Sequence, residues 1–289
     1  MNNLDLILIK QKNWAKRNQK QLIAHNNKSD NLTYFANLSD NLFIPLSVKA
    51  TTQFNKADGG ELNDSSNGLA KMKAIHSSSA LAVNVFQYWQ TQNKILEIAH
   101  CCGFCDKDNI HVRDLVFEKN DLIIDSSFDK NPNIDVVISN SDLSKSKVFA
   151  IECKFTEPYN SSGHADLKQK YIDLDELWKD IPIIKDFVVK TDSLIHSFKH
   201  LHAAQLIKHI LCLKQTYGKK GFKLLYLFYD SVGEHAIIHQ NELRIFSEML
   251  KSENINFSSL SYQELILKIS NNYYSGNEEY IDYLIDRYL

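Results

Sequence analysis

Hydrophobic positions along the chain change from a helical period to an alternating one and back. Behind Ser77, a residue type that often caps helices, Leu81, Val85 and Tyr88 recur at helical spacing, and the pattern resumes over residues 95–99. Later segments are short and rich in β-branched or aromatic residues, which predicts strands. The predicted strands are residues 110–117, 134–138, 148–155, 222–229 and 255–260.

Further helices are predicted around and after these strands. They are residues 166–179, which are highly charged, residues 192–216, residues 242–251, and the residues that follow the last strand to the C-terminus. Helices, then a run of strands, then alternating elements indicate an α/β (α+β) fold with a central mixed β-sheet flanked by helices.

The first 70 residues differ in composition from the rest of the chain. About the first 26 are helical in pattern and basic, whereas residues 26–69 are rich in Asn, Ser, Asp and Gly, with breakers at 57–60 and 64–68. We therefore divide the chain into an N-terminal helix with an irregular extension, residues 1–70, and a main domain, residues 71–289.

The most informative segment is a predicted β-hairpin. The polar residues 140–146 separate two predicted strands and can only form the turn between them. A turn centred in this stretch places Asp135 directly opposite Glu152. The further pairs in the same register are Val137 with Ala150 and Ser139 with Val148.

Side chains alternate between the two faces of a strand, so the two faces of this hairpin differ. One face collects Asp135, Glu152 and Lys154. The other face is apolar and is expected to be core; its residues are Ile134, Val136, Ile138, Phe149, Ile151, Cys153 and Phe155. Two carboxylates that face each other across a strand pair repel, and a divalent cation between them would remove that cost.

The chemistry of the polar face favours a metal-dependent hydrolase. Carboxylate oxygens are hard ligands that suit Mg²⁺ or Mn²⁺ rather than Zn²⁺. Lys154, two residues beyond Glu152, reaches the same position, where an ammonium could stabilise a developing oxyanion or help to deprotonate the attacking water. A metal ion, a water and an ammonium are the components that phosphodiester hydrolysis needs.

The arrangement Asp135…Glu152-Cys153-Lys154 resembles the D…(D/E)xK signature of the PD-(D/E)xK nuclease superfamily, which has the restriction-endonuclease-like fold. The resemblance is to a bacterial branch and covers roughly residues 70 to 289, with Ile134 at the position of the proline in the family name. Further segments that carry it are residues 77–79, 84–86, 117–118, 133–135, 152–157, 205 and 286–288.

This resemblance implies a set of functional residues. It implies that Asp135, Glu152 and the backbone carbonyl of Cys153 hold one or two Mg²⁺ ions, and that Mn²⁺ could replace them. It adds Glu118 as a further acid near the metal and Gln205 as a polar helix residue of the site. Lys154 would orient or activate the attacking water.

Other interpretations of these residues stay open. An ExK triplet alone is also typical of a solvated edge strand, and Glu118 could be an exposed charge at a strand end. Glu97 is a weaker candidate for the additional acid. His202 and His209 share a helix face with Gln205 by their spacing, and we interpret them as a plain polar face.

Composition limits the class of protein. The chain has 289 residues, of which 44% are hydrophobic and 24% charged, and no apolar run approaches the ~20 residues of a membrane span. Five cysteines and no export signal indicate reduced thiols in a cytoplasm. With a formal net charge of -2, a nucleic acid would have to bind to a local basic cleft.

The sequence therefore predicts a Mg²⁺-dependent endonuclease of the restriction type (type II-like), which hydrolyses phosphodiester bonds of double-stranded DNA. The alternatives are a structure-specific repair or RNA-directed nuclease of the same fold, and a non-catalytic DNA-binding module. Cutting both strands needs two sites, so we expect a homodimer on DNA. The C-terminal residues Tyr273, Tyr274, Tyr280, Tyr283, Leu284, Tyr288 and Leu289 would suit its interface, or would pack on their own domain.

Overall fold

A computed structural model describes most of the chain, namely residues 2–25, 31–57, 60–66, 68–122, 124, 128, 131–160, 166–191 and 194–289. The strands are β1 (Leu22–Ala24), β2 (Leu32–Phe35), β3 (Val112–Lys119), β4 (Ile134–Asn140), β5 (Val148–Lys154), β6 (Phe222–Phe228) and β7 (Phe257–Ser261). The helices are α1 (Asn3–Arg17), α2 (Val48–Lys56), α3 (Ser78–Thr91), α4 (Ile95–Cys101), α5 (Gln169–Ile172), α6 (Asp175–Trp178), α7 (Pro182–Lys190), α8 (Leu194–Ser197), α9 (Ala203–Tyr217), α10 (Glu234–Ser252), α11 (Tyr262–Tyr273) and α12 (Glu278–Tyr288).

The central element is a five-stranded mixed sheet in the order β3-β4-β5-β6-β7. β4 runs antiparallel to both of its neighbours, β3 and β5. β6 runs parallel to β5, and β7 runs parallel to β6. β1 and β2 form a separate antiparallel pair. The prediction of a central mixed sheet flanked by helices is confirmed.

The β4–β5 hairpin has the predicted register, since Val137 pairs with Ala150 and Ser139 pairs with Val148. Its turn is closed by Asn140, which donates from its backbone N–H to one carbonyl across the turn and from its side-chain amide to another, both at 2.8 Å. Polar turn residues and apolar strand residues leave no other register that buries the same side chains.

Helices cover both faces of the sheet, and every residue of β5 is buried. On one face Phe149 and Ile151 pack in a core cluster with α3, α11 and α12. On the other face Val137 and Ala150 pack in a second cluster with α9 and α10. The expectation of a single core face was wrong, because helices from the second half of the chain cover the other face as well. Ile134, the first residue of β4, was expected on the face of Val136 but lies in this second cluster instead.

Residues before position 71 pack into the same core as the sheet. α1 lies against α12, and α2 lies against the edge strand β3. Ile7, Leu42 and Phe54 belong to the same buried cluster as one face of the sheet. The side-chain carbonyl of Gln53 accepts a hydrogen bond from the backbone of Phe117 at 2.9 Å, which covers part of the β3 edge.

The helices differ from the sequence pattern between residues 166 and 216. The predicted helix 166–179 is two single turns, α5 and α6, and the predicted helix 192–216 is α8 and α9, with residues 192–193 outside the described residues. α7 was not predicted; it begins at Pro182, where a missing backbone N–H is tolerated. The turn between α8 and α9 is held by Glu242, whose carboxylate accepts hydrogen bonds from the backbone N–H groups of residues 199–201.

The C-terminal aromatic residues mostly pack on their own domain. Tyr280, Leu284 and Tyr288 are almost completely buried, whereas Tyr274 is 41% exposed. These residues therefore give no support to a dimer interface. In the part of the chain that the structure describes, none of the helices combines the length and apolar character needed to cross a bilayer.

Arg287 of α12 connects the N-terminal segment to this core. Its guanidinium is buried and lies 4.2 Å from the ring centroid of Trp14. It donates to the side chain of Gln11 at 3.0 Å, to the backbone carbonyl of Asn41 at 2.8 Å and to the hydroxyl of Tyr283 at 2.7 Å. These partners are uncharged, so hydrogen bonds and a cation–π contact hold the charge.

We expect Arg287→Ala to lower the free energy of unfolding by about 3–5 kcal/mol, because it leaves the buried polar groups of Gln11 and Asn41 without a hydrogen-bond donor. Urea denaturation followed by circular dichroism measures the change. The matched control is Arg244→Ala, since Arg244 is exposed in a surface ion pair on α10 and its loss should cost less than about 0.5 kcal/mol. Equal effects of the two substitutions would contradict the assignment.

Candidate active site

Three carboxyl groups from neighbouring strands form one row across the sheet. The β3–β4 register brings Glu118 opposite Asp135. The β4–β5 register, continued by one residue, brings Asp135 opposite Glu152. On its other side Glu152 pairs with Tyr226 of β6, which ends the row. Adjacent acids of this kind repel, so the row is stable only if protons or cations reduce its charge.

Asp135 accepts a hydrogen bond from the backbone N–H of Cys153 at 2.6 Å. Because the N–H and C=O of one strand residue point to the same side, the carbonyl of Cys153 also faces β4. The Cys153 thiol lies in the core cluster on the opposite face, and burial raises its pKa well above the ordinary value. The interpretation of this thiol as a core group is confirmed.

Glu152 is fully buried, and both of its carboxylate oxygens have partners. Oε1 accepts a hydrogen bond from Nζ of Lys154 at 2.5 Å, and Oε2 lies 2.7 Å from Nε2 of His209. The ammonium of Lys154 also donates to Oε1 of Gln205 at 3.0 Å. Gln205 and His209 stand one turn apart on α9, so this helix lies over the end of β5.

The ion pair of Glu152 and Lys154 is charged at neutral pH. Burial alone would raise the pKa of Glu152, but Lys154 and His209 outweigh burial and lower that pKa to about 2. Burial would lower the pKa of Lys154, but Glu152 and Asp135 raise it above the ordinary value. Lys154 therefore donates hydrogen bonds to Glu152 and Gln205 in this arrangement.

The other two acids of the row have raised pKa values. Burial, and then the charge of Glu152, raise the pKa of Asp135 well above its ordinary value. Burial, followed by the charges of Glu61 and Glu152, raises the pKa of Glu118 to about 7. Burial and the neighbouring negative charges therefore both favour the protonated forms of Asp135 and Glu118.

Glu118 also has an unusual backbone. Its φ of +50° is in the left-handed region, although it lies within β3. Residues other than Gly, Asn and Asp adopt this region at a cost of about 1–3 kcal/mol, and such strain is concentrated at functional sites. Its carboxylate accepts a hydrogen bond from the side-chain amide of Asn133 at 3.4 Å.

Two residues of this cluster were missed by the sequence analysis. His209 was interpreted as part of a plain polar face, but it is buried and contacts Glu152. Its position four residues after Gln205, on the same helix face, could have indicated that His209 reaches the site. Glu61 acts on the pKa of Glu118 and forms an ion pair with Lys71 at 3.7 Å. Glu61 lies in a glycine-containing segment without a periodic pattern, so the local sequence carries no signal for it.

The weaker candidate Glu97 lies apart from the row, whereas Glu157, just beyond β5, acts through its charge to raise the pKa of Lys154. Glu97 is on α4, where its charge acts on the thiol of Cys101 and the hydroxyl of Tyr273. Glu157 accepts a hydrogen bond from the backbone N–H of Phe155 at 2.8 Å, which caps the end of β5. Both acids therefore have structural contacts of their own.

The class of protein that the family comparison supports is a restriction-endonuclease-like protein. A family model described as "Restriction Endonuclease associating with ARP" matches residues 9–289, and the chain belongs to this family. The family indicates a nuclease-like role. The match begins well before residue 70, where the sequence resemblance starts. No curated protein and no solved structure gives a significant match.

We expect Mg²⁺ to raise the melting temperature more at about pH 8 than at about pH 5.5, because metal ligands must be deprotonated. Burial and its acidic neighbours raise the pKa of Glu118 from 4.5 to about 7, so the folded state binds more protons than the unfolded state between these values. Without Mg²⁺, stability should therefore fall as the pH rises through this window. Scanning calorimetry with and without Mg²⁺ measures both effects.

The control for this titration is Glu118→Gln, which cannot titrate at that position. It should flatten the fall in stability between about pH 4.5 and 7. A wild-type protein whose stability is unaffected by pH and by Mg²⁺ in this range would contradict the assignment.

Proposed function

We propose that the protein is a Mg²⁺-dependent endonuclease that hydrolyses phosphodiester bonds of double-stranded DNA, as a restriction-type enzyme. The observation that carries this proposal is the row of Glu118, Asp135 and Glu152 with the ammonium of Lys154 at its end. Membership of a restriction-endonuclease-like family supports the same reaction class.

The donor set fits a hard divalent cation. The ligands would be Asp135, Glu152 and the carbonyl of Cys153, which offer only oxygen atoms. Burial and the charge of Glu152 raise the pKa of Asp135, so its negative charge is unfavourable unless a cation stabilises it. Within the described residues, no three His, Cys, Asp or Glu side chains form a complete metal centre. Mg²⁺ commonly uses one or two protein carboxylates and completes its shell with water and substrate phosphate, so this set suffices. Mn²⁺ has the same ligand preference.

In the proposed reaction a water oxygen bonds to phosphorus and gives up a proton, while the bond from phosphorus to the 3′ oxygen breaks and that oxygen takes a proton from solvent water. Bound Mg²⁺ would supply Lewis-acid polarisation of the phosphate and would lower the pKa of the attacking water. Lys154, held by Glu152 and Gln205, donates hydrogen bonds to the charge that develops on the phosphate oxygens. Glu118 can accept a proton near neutral pH, since its pKa is about 7. His209 positions Glu152.

A second candidate function keeps the site and changes the substrate, as a structure-specific repair or RNA-directed nuclease. A cleavage assay with Mg²⁺ on plasmid, single-stranded DNA and RNA distinguishes these substrates. Discrete bands from plasmid support the restriction-type enzyme, whereas a smear or a preference for RNA supports the alternative. Binding without cleavage of any substrate would favour a non-catalytic DNA-binding module.

We expect Asp135→Asn and Glu152→Gln to lower the cleavage rate by at least about 10³-fold, because each removes a charged oxygen ligand. Lys154→Met should have a similar effect through loss of the ammonium. The readout is the single-turnover rate on plasmid with Mg²⁺. Near-normal cleavage by any of the three purified proteins would contradict its assigned role.

Folding controls are needed, because breaking the buried Glu152–Lys154 pair leaves an uncompensated charge that costs about 3–5 kcal/mol. The double variant Glu152→Gln with Lys154→Met removes both charges and should be more stable than either single variant. Asp142→Asn, an exposed position in the turn of the same hairpin, should leave cleavage unchanged.

We further propose that the enzyme acts on DNA as a homodimer. One chain contributes one carboxylate row, and cutting both strands of a duplex needs two sites of opposite polarity. Light scattering on the protein–duplex complex should therefore give two protomers for each duplex. A single protomer together with nicked products would overturn the dimer and favour the repair nuclease.

A further inference from the structure

α9 brings a third polar side chain toward the acidic row. Gln205 and His209 of this helix contact Lys154 and Glu152. Lys208 follows Gln205 by three residues and directly precedes His209, so it lies at the border of the same helix face. Its strongest charged neighbours are Glu152, Lys168 and Lys154.

Lys208 is half-buried, and its ammonium forms no hydrogen bond or ion pair with any residue that the structure describes. Glu152, the acid whose charge acts most strongly on Lys208, makes its side-chain hydrogen bonds with Lys154 and His209 instead. Lys168, directly before α5, is exposed, and its side chain likewise forms no hydrogen bond or ion pair with the described residues. The charge of Lys168 therefore acts on Lys208, and neither ammonium group has a carboxylate partner among the described residues.

This arrangement is unfavourable for the protein alone. A partly buried charge without a partner loses hydration that nothing replaces, and a second positive charge nearby adds repulsion. Burial and Lys168 accordingly lower the pKa of Lys208. The pKa of Lys214 on the same helix is also lowered by burial, but its Nζ donates to the carbonyl of Lys179 at 2.7 Å. Lys214 has a structural partner, whereas Lys208 has none among the residues that the structure describes.

We propose that Lys208 and Lys168 form a binding site for a backbone phosphate of the nucleic-acid strand that enters the acidic row. This inference rests on the proposed function and adds a substrate contact to it. A phosphate oxygen supplies the negative charge and the acceptors that both ammonium groups lack, and lysine binds phosphate as a point charge. Lys154 stays with the reacting phosphate, so the new site takes a neighbouring one.

The first test compares stability with binding in Lys208→Met, which keeps the side-chain length and removes the charge. We expect its melting temperature without DNA to rise, because the unpaired charge is gone, and its affinity for a short DNA duplex to fall about tenfold. Fluorescence anisotropy in EDTA measures affinity without cleavage. A purely structural lysine would instead lower the melting temperature when replaced. The control Lys214→Met should lower stability and leave affinity unchanged.

The second test uses salt. Each lost phosphate contact should reduce the slope of log affinity against log salt by about 0.9, so Lys208→Met and Lys168→Gln should each have this effect and the double variant about twice as much. Unchanged affinity and slope in both single variants would overturn the proposal. If these differences appear but the wild-type protein cleaves no nucleic acid, the phosphate site stands and the nuclease function fails. If cleavage occurs but the differences in affinity and slope are absent, the nuclease function stands and the phosphate site fails.

Discussion

The buried contact between Glu152 and Lys154 constrains the whole end of the sheet. A carboxylate without solvent is stable as an ion only because Lys154 and His209 satisfy both of its oxygens. His209 reaches it because α9 crosses the end of β5. α9 begins there because Glu242 of α10 binds the preceding turn through three backbone N–H groups. One ion pair therefore depends on elements from three parts of the chain.

The acidic row combines electrostatic repulsion with backbone strain. Three carboxyl groups on adjacent strands raise the pKa of Asp135 and Glu118, and Glu118 has a left-handed backbone inside a strand. A sheet buried on both faces can hold this arrangement, because the two hydrophobic clusters fix the strands independently of the polar end.

The N-terminal residues are part of the same structural unit as the sheet. Gln53 covers the β3 edge, Arg287 binds Gln11 and Asn41, and Glu61 acts on Glu118. The family match from residue 9 onward agrees with this packing. The acidic row is thus bounded on the β3 side by a segment whose sequence has no periodic pattern and no recognisable motif.

Local sequence was sufficient for the β4–β5 hairpin, because a polar turn and alternating side chains allow one register, and that register aligns Asp135 with Glu152. It was also sufficient for the mixed sheet. The covering of the second sheet face, the contact of His209 with Glu152 and the position of Glu61 depended on long-range packing. The raised pKa values of Asp135 and Glu118 depended on it too, because desolvation and charge proximity arise only when distant segments meet.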